Sequence, residues 1–402
     1  MAIHWIDDPK LDLDGKRVFC RVDFNVPLTH DGRVADDERI RAALPTLELL
    51  IERGARVLVA SHLGRPKGKP KKELSLEPVA EQLQGLLARE VIFTDDCVGD
   101  GVKKLVNEQP PGGVVVLENL RFHPGEEKND EGFARQLAEN VDVYVDDAFG
   151  AAHRAHASVD GITRFVPQKL GGLLLRKEVE ALSSLLREPK RPYVAILGGA
   201  KVSDKLGVLS KLMDRTDKLL IGGAMAYTFL KARGADIGTS RFEEDRIQIA
   251  ASILDNAKKR GVELLLPTDH VVAKGFAEDA PHRVVHTDGF GEDEMGLDIG
   301  PETRRAYQEA IAGAGTVFWN GPMGVFEWDA FSHGTMAVME AVASANQKWG
   351  TYTVVGGGDS VAALNKGGMA DRISHVSTGG GASLELLEGQ KLPGLVALGY
   401  DF

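Results

Sequence analysis

Cysteine is scarce: the 402-residue chain carries only Cys20 and Cys97. They form no disulfide framework, and neither belongs to a C-x-x-C pair. Redox exchange and zinc binding by such pairs therefore have no support, and a reducing, cytoplasmic setting is expected. Long apolar runs are missing too; none approaches the roughly 20 residues that cross a bilayer. The opening MAIHWIDDPK is acidic and lacks the apolar segment of a signal peptide. A soluble protein with no membrane partner is expected. Basic excess is also lacking: 48 Lys and Arg face 59 Asp and Glu, a formal net charge of −11, which disfavours a nucleic-acid partner. The run RPKGKPKK (65–72) has no interleaved aromatics and is broken by Pro and Gly, so it reads as a solvated loop. The phosphate-binding signature G-x-x-x-x-G-K-[ST] is absent. No G-x-G-x-x-G follows a strand with an acidic residue at the right distance, so a nicotinamide-dependent dehydrogenase lacks its fingerprint.

What remains is 43% hydrophobic, enough for a core, in a chain too long for one core of ordinary size. Short apolar runs recur. In the first half they lie at 17–24, 56–62, 90–96, 113–119 and 141–147. In the second they lie at 192–199, 218–224, 262–269, 316–322 and 352–358. They are continuous rather than alternating, as in parallel strands covered on both faces. Helix-period segments, such as 78–90 and 245–261, separate them. The pattern predicts an α/β protein of two Rossmann-like domains, each a parallel β-sheet core flanked by helices. The stretch 171–192 has no strand signal and reads as one amphipathic interdomain helix, which also disfavours an eight-fold barrel. In open α/β sheets ligands bind beyond the carboxyl ends of strands, so the informative residues follow each run.

In the first half those positions are basic. Arg21, Asp23 and Asn25 follow the first run, His62 and Arg65 the second, Arg121 and His123 the fourth, and His153, Arg154 and His156 the fifth. Arg39 and Arg41 come from a helix start, where Arg41 reads as an ordinary surface charge. Arginine's planar fork suits phosphate or carboxylate, so convergence of these loops would make a polyanion pocket; each residue alone also fits a solvated surface role. HRAH beside Asp146 and Asp147 is a weak metal pattern, read as ordinary histidines.

In the second half the positions are glycine-rich: LGGAK (197–201), IGGA (221–224), VVGGGDS (354–360) and STGGGAS (377–383). Such turns let backbone amides approach an anion, and each is expected to open a helix. Lys201 and Lys205, four apart, are expected on one helical face. Asp359 follows three glycines, where it could carry Mg²⁺ beside phosphate or cap the helix; the residues leave both readings open. Glu327 could accept from ribose hydroxyls, or be an exposed glutamate of no special role. A two-domain phosphoryl transferase accounts for both halves; a non-catalytic nucleotide-binding scaffold is the alternative.

RVDFNVP, SHLGRP, LENLRFHPGE, DDAFGAAHRAH, GGAKVSDK, GGAMAYTFL, WNGPMGVFEW, VVGGGDS and HVSTGGGASLELLEG occur in this order. Taken together, the set closely resembles the phosphoglycerate kinase family nearly end to end. Ser360 stands where the family often has threonine, which keeps the hydroxyl. The resemblance implies a first domain (1–170 with a returning tail at about 389–402) that binds 3-phosphoglycerate or 1,3-bisphosphoglycerate through Asp23, Phe24, Asn25, Arg39, His62, Leu63, Gly64, Arg65, Arg121 and Arg154. It implies an interdomain helix or hinge at 171–187, and a second domain (188–388) that binds Mg-ADP or Mg-ATP. There the matching residues are Lys201, Lys205, Gly223, Asn320, Glu327, Gly356, Gly357, Gly358, Asp359 and Ser360, with Asp359 as the Mg²⁺ ligand. Arg39, Lys201 and the amides of Gly379, Gly380 and Gly381 are implied to stabilise a phosphoryl group moving in line between 1,3-bisphosphoglycerate and ADP after domain closure. A monomer is implied.

Overall fold

The apolar runs become strands shorter than the runs, because each chain leaves its sheet where polar or glycine residues begin. In the computed structural model, which describes residues 3–401, the strands, including five that no run marked, are β1 (Arg17–Arg21), β2 (Arg56–Ala60), β3 (Ile92–Phe93), β4 (Val114–Val116), β5 (Val143–Asp146), β6 (Gln168–Gly171), β7 (Tyr193–Leu197), β8 (Lys218–Ile221), β9 (Glu263–Leu265), β10 (Asp269–Ala273), β11 (His282–His286), β12 (Met295–Ile299), β13 (Thr316–Asn320), β14 (Tyr352–Gly356) and β15 (His375–Val376). Residues 1, 2 and 402, which the sequence reading places at the ends of the first domain and its tail, lie outside the described residues.

The chain divides into two compact units. The first runs to Glu180 and takes back the chain from Lys391; the second is Ala181–Gln390. The first holds a six-stranded sheet in the order β3-β4-β2-β1-β5-β6, with all neighbours parallel. The second holds a parallel sheet in the order β15-β14-β13-β7-β8-β9. There the chain starts at the middle with β7, builds β8 and β9 outward, then returns to build the other half. The reversal between β7 and β13 is a topological switch point, where a crevice opens beyond the strand ends. Register sharpens the point: Leu197 pairs with Asn320 and Asn320 with Gly356, so three glycine-bearing turns leave the sheet in one row. In the first unit Arg21 pairs with both Ala60 and Asp146, which puts the loops after β1, β2 and β5 along one edge.

Strand residues of β1, β2 and β5 are almost all buried, as a sheet covered by helices on both faces requires. Val18, Val57, Val114 and Val143 pack with Ile40, Leu47, Val79 and Leu83 of the flanking helices Glu38–Glu52 and Glu77–Leu87. In the second unit Val194, Val317 and Val355 pack with Val338 and Val342 of the helix His333–Trp349. No helix among the described residues is long and apolar enough to cross a membrane.

Three sequence expectations change. The stretch 171–192 is not wholly helical: β6 ends at Gly171, the helix spans Leu173–Arg187, and the division between units falls inside it. The second unit is not purely parallel: β10, β11 and β12 form a separate antiparallel sheet with its own small core of Val271, Ala273, Leu297 and Phe331. β11 faces solvent along most of its length, so it lacks the apolar run that marks the strands of the parallel sheets. The two short strands β6 and β15 are additions to the expected set, because glycine or polar residues cut their apolar signal.

Candidate active site

The first unit gathers cations at one sheet edge. Arg21, the last residue of β1, is fully buried. Its Nε donates to Ser158 Oγ at 2.8 Å, it also donates to the Val22 carbonyl, and Nη2 lies 3.1 Å from His62 Nδ1. Guanidinium only donates, so that imidazole nitrogen accepts. Ser158 in turn donates from Oγ to Glu126 Oε1 (2.6 Å) and from its amide to Oε2 (2.9 Å). Burial, followed by Arg21, Arg121 and Arg154, holds His62 well below the usual imidazole range. The same crowding, again after burial, brings Arg121 down to about 10 and His156 to about 3. Cations that lower one another's pKa have converged with too little anionic charge between them.

The loops are braced by their own polar groups. Gly64 N–H donates to Asn25 Oδ1 at 2.8 Å, and Arg121 Nη1 donates to the Gly64 carbonyl at 2.8 Å. Arg121 Nε is buried without a hydrogen bond, 3.5 Å from the Glu127 carboxylate. Arg39 donates to Asp23 at 2.9 Å, with the arginine side chain 38% exposed and thus open to a ligand. His153 joins this group: Arg154 Nε lies 3.2 Å from its Nε2, and Asp23 is close enough to influence it. Arg65 is exposed on its loop. Phe24 and Leu63 pack in the core, their amides held by Ser61 Oγ and Asn119 Oδ1, so they brace the loops. Arg41 pairs with Asp37 at 2.8 Å on the surface. HRAH and the two aspartates do not converge: Asp146 accepts from the Ala148 amide, Asp147 from the Leu175 amide, and His156 faces Glu126.

In the second unit the switch-point turns enclose a cavity of about 440 Å³, within the range of small-molecule sites. Its lining includes the turn residues Gly199, Ala200, Gly223, Ala224, Pro322 and Gly324, with the carboxylates of Asp359 and Glu327. Gly223 is indispensable there, with φ +68° and a hypothetical Cβ 2.5 Å from both N and O of Gly199. Gly357 is similarly held, with φ +94° and a Cβ position 2.8 Å from Asn320 Nδ2. Phe276, Met295, Leu297, Val325 and Tyr227 add apolar lining.

Lys201 and Lys205 do not share a helical face. Lys201 is exposed in a loop, and Lys205 ends the short turn Ser203–Lys205 and caps the helix Leu206–Met213. Burial lowers the Lys205 pKa, while Asp204, Asp359 and Glu388 oppose the shift. Its Nζ donates to Asn320 Oδ1, and Asn320 Nδ2 donates to the Gly356 carbonyl at 2.8 Å, so fully buried Asn320 ties the lysine to the end of β14. Ser360 is buried and accepts from the Gly321 amide at 2.6 Å. Asp359 is not a helix cap: Gly357 holds that position for Gly358–Gly367. The Asp359 carboxylate is exposed and makes no hydrogen bond or ion pair among the described residues. Gly379 donates its amide to Ser377 Oγ at 3.2 Å, Gly380 caps Gly381–Leu387 at φ +53°, and Gly381 is exposed.

Sequence reasoning missed Glu126, Ser158 and the bracing role of Arg21. Each lies in or beside a quoted motif, yet nothing in the spelling says that it turns inward. It also missed Tyr227, Phe276, Met295 and Leu297, half of which come from the antiparallel sheet that it did not read.

Comparison with known proteins agrees along the whole chain. The family model described as phosphoglycerate kinase matches residues 6–390. A phosphoglycerate kinase of Moorella thermoacetica is 58% identical over 388 residues, 96% of this chain and 97% of that one. One of Anaeromyxobacter dehalogenans is 57% identical over 399 residues, 99% of each chain. Among solved structures, phosphoglycerate kinase from Coxiella burnetii aligns with TM-score 0.87 at 44% identity, covering 97% of this chain and 98% of that one. The Pyrococcus horikoshii enzyme aligns at 0.84 with 33% identity, covering 98% of each.

Proposed function

The chain belongs to the phosphoglycerate kinase family, and from that premise we propose how its residues share the work. The reaction is reversible phosphoryl transfer from 1,3-bisphosphoglycerate to ADP, giving 3-phosphoglycerate and ATP, with a carboxyl group as acceptor in the reverse direction. A carboxylate of pKa about 4 is already ionised at neutral pH, so no general base is needed. What remains is alignment and charge neutralisation, the dominant needs of phosphoryl transfer.

The first unit takes the phosphoglycerate. Arg121, Arg154, Arg65 and Arg39 bind its anionic groups, with Asp23 and Asn25 orienting it and His62 kept neutral as a hydrogen-bonding partner. The observation that carries this assignment is the convergence of Arg21, His62, Arg121 and Arg154 from the loops after β1, β2, β4 and β5 on one sheet edge; burial first and the neighbouring arginines second lower His62 and Arg121 there, and a bound polyanion would relieve the arginines' part. The second unit takes the nucleotide: phosphates at the glycine turns of its cavity with Lys205 and Lys201, the base against Leu297 and Val325, and the ribose near Glu327. Arg39 and Lys201 neutralise the migrating group, with amides of Gly379 to Gly381 adding positive potential. Because transfer is direct, the acceptor on one unit and the nucleotide on the other must meet, and we propose that the units close for the step.

Asp359 fits a magnesium role: an exposed carboxylate in the cavity wall, uncommitted to any hydrogen bond or ion pair among the described residues, beside amide-rich turns suited to phosphate. When bound, Mg²⁺ neutralises nucleotide phosphate charge. A monomer is proposed on the family resemblance alone. The two free, buried cysteines support a reducing cytoplasm.

The test is a coupled assay of ATP formation from ADP and 1,3-bisphosphoglycerate, with and without chelator, on the native chain and Lys205→Ala. Activity should require the metal, and the variant should raise the ADP KM at least tenfold. Chelator-resistant turnover would remove Mg²⁺ from this account, and an unchanged ADP KM in a folded variant would remove Lys205.

A further inference from the structure

Asp96, Cys97 and His123 lie on the loops after β3 and β4. One carboxylate oxygen, one thiol sulfur and one imidazole nitrogen come within 4.8 Å of one another, the only such grouping of three among the described residues. His123 Nε2 is 2.6 Å from Asp96 Oδ1, and the Cys97 amide donates to that same oxygen at 2.6 Å. The His123 ring is held by stacking on Phe133, with centroids 4.9 Å apart and planes 18° apart. Cys97 is 3% exposed, whereas the side chains of His123 and Asp96 are 31% and 47% exposed. The soft donor thus forms the floor and the harder donors form a rim open to water.

We propose that Asp96, Cys97 and His123 form a binding site for a zinc-class divalent transition metal, with water completing the coordination. Thiolate plus imidazole suits Zn²⁺ or Co²⁺ and not Mg²⁺, which demands oxygen ligands, so the site is separate from any cation carried by the nucleotide. Tetrahedral bonds of about 2.0–2.3 Å place ligand atoms about 3.3–3.5 Å apart, so the Asp96–His123 pair must open by about 0.7 Å, which its partial exposure permits. Atoms and charge balance simply. The thiol proton leaves to solvent, and the proton that His123 Nε2 shares with Asp96 passes by way of solvent to Nδ1, which makes Nε2 the unprotonated nitrogen; sulfur and Nε2 then each donate a lone pair to the metal, and the Asp96 oxygen exchanges its hydrogen bond for a metal bond. The groups that push the Cys97 thiol up are burial first, then Asp96 and Glu126; both acids also favour a nearby cation. Coordination deprotonates such a thiol outright.

The experiment uses metal-free full-length protein and Co²⁺ alone. One equivalent should bind with a thiolate-to-cobalt charge-transfer band in the near ultraviolet and release about one proton near neutral pH. Zn²⁺ should displace it. The band should survive Cys20→Ser and vanish in Cys97→Ser, and His123→Gln should weaken binding at least about tenfold, with circular dichroism confirming the fold of each variant. The native spectrum decides even if a variant fails to fold: cobalt binding without a sulfur band, or no binding, overturns the site. A band that persists in folded Cys97→Ser, or disappears in folded Cys20→Ser, overturns it equally.

Discussion

Replacing Asp298 with asparagine should flatten the pH dependence of the second unit's stability. Asp298 is 2% exposed, and burial raises its pKa from 3.8 to about 7, even though its carboxylate accepts the Gly334 amide at 2.7 Å and the Ile299 amide at 2.9 Å. A carboxyl raised on folding contributes stability that is fully present below its unfolded pKa and is lost as pH climbs through its folded pKa. The window is therefore pH 4 to about 7. A gap of about 3 pH units, at about 1.4 kcal/mol each, amounts to about 4 kcal/mol. Asparagine removes the ionisation at every pH but turns an NH₂ toward one of the two amides, a pH-independent cost of about 1–3 kcal/mol. The variant should start less stable at pH 4 and equal or overtake the parent by pH 8. Urea unfolding at both pH values, followed by the fluorescence of Trp319, Trp328 and Trp349, measures the difference. Stability curves for parent and variant that run parallel, within about 1 kcal/mol across that range, would refute the reasoning.

Arg39→Ala should lower kcat on the order of 10²-fold, as for a lost transition-state charge contact, and steady-state rates at saturating substrates test it. It also leaves Asp23 without its 2.9 Å partner, so Arg39→Ala/Asp23→Asn should recover substrate affinity more than turnover. Gly223→Ala faces a left-handed backbone at φ +68°, costing about 1–2 kcal/mol, and atoms of Gly199 at 2.5 Å. The displaced turn should raise the ADP KM at least tenfold while the phosphoglycerate KM holds, as initial-rate kinetics will tell. His156, brought down to about 3 by burial and then Arg121, contributes stability present above about pH 6.5 and lost as pH falls toward 3. His156→Gln should remove that part of the acid slope, seen as a smaller drop in Tm between pH 7 and pH 4.

The parallel sheets were readable because a strand buried on both faces leaves a continuous apolar run. Val57 to Ala60 and Val194 to Leu197 are such runs, and each is wholly buried. β11 was unreadable for the converse reason: its residues His282 to Val284 face solvent. The candidate site divided in the same way. Arg39, His62, Arg121 and Asp359 stand just past strands or at helix starts, where the topology of α/β sheets directs attention. Lys201 and Lys205 were misplaced because spacing of four implies one helical face only where a helix exists, and the helix begins at Leu206. Asn320 and Ser360 were legible as motif letters but not as buried supports of Lys205 and Gly321, since their roles depend on register between β13 and β14.

Glu126 is the residue that most tempts a different mechanism. It is a fully buried carboxylate with a raised pKa, within reach of a histidine and close to the arginines that are assigned to the acceptor. Such a group elsewhere would be a candidate general base. Here both of its oxygens are occupied, one by the hydroxyl and one by the amide of Ser158, and that hydroxyl accepts from Arg21. Its negative charge is therefore committed to a guanidinium with no exposed surface, which would otherwise be buried without compensation at a cost of about 3–5 kcal/mol. A carboxylate serving as counter-charge cannot also leave to collect a proton. The acceptor brings its own ionised oxygen, so the reaction makes no such demand. Glu126 steadies Arg21, Arg21 steadies neutral His62, and the arginines nearer the surface are left with unmatched positive charge, which is what a phosphorylated carboxylate requires.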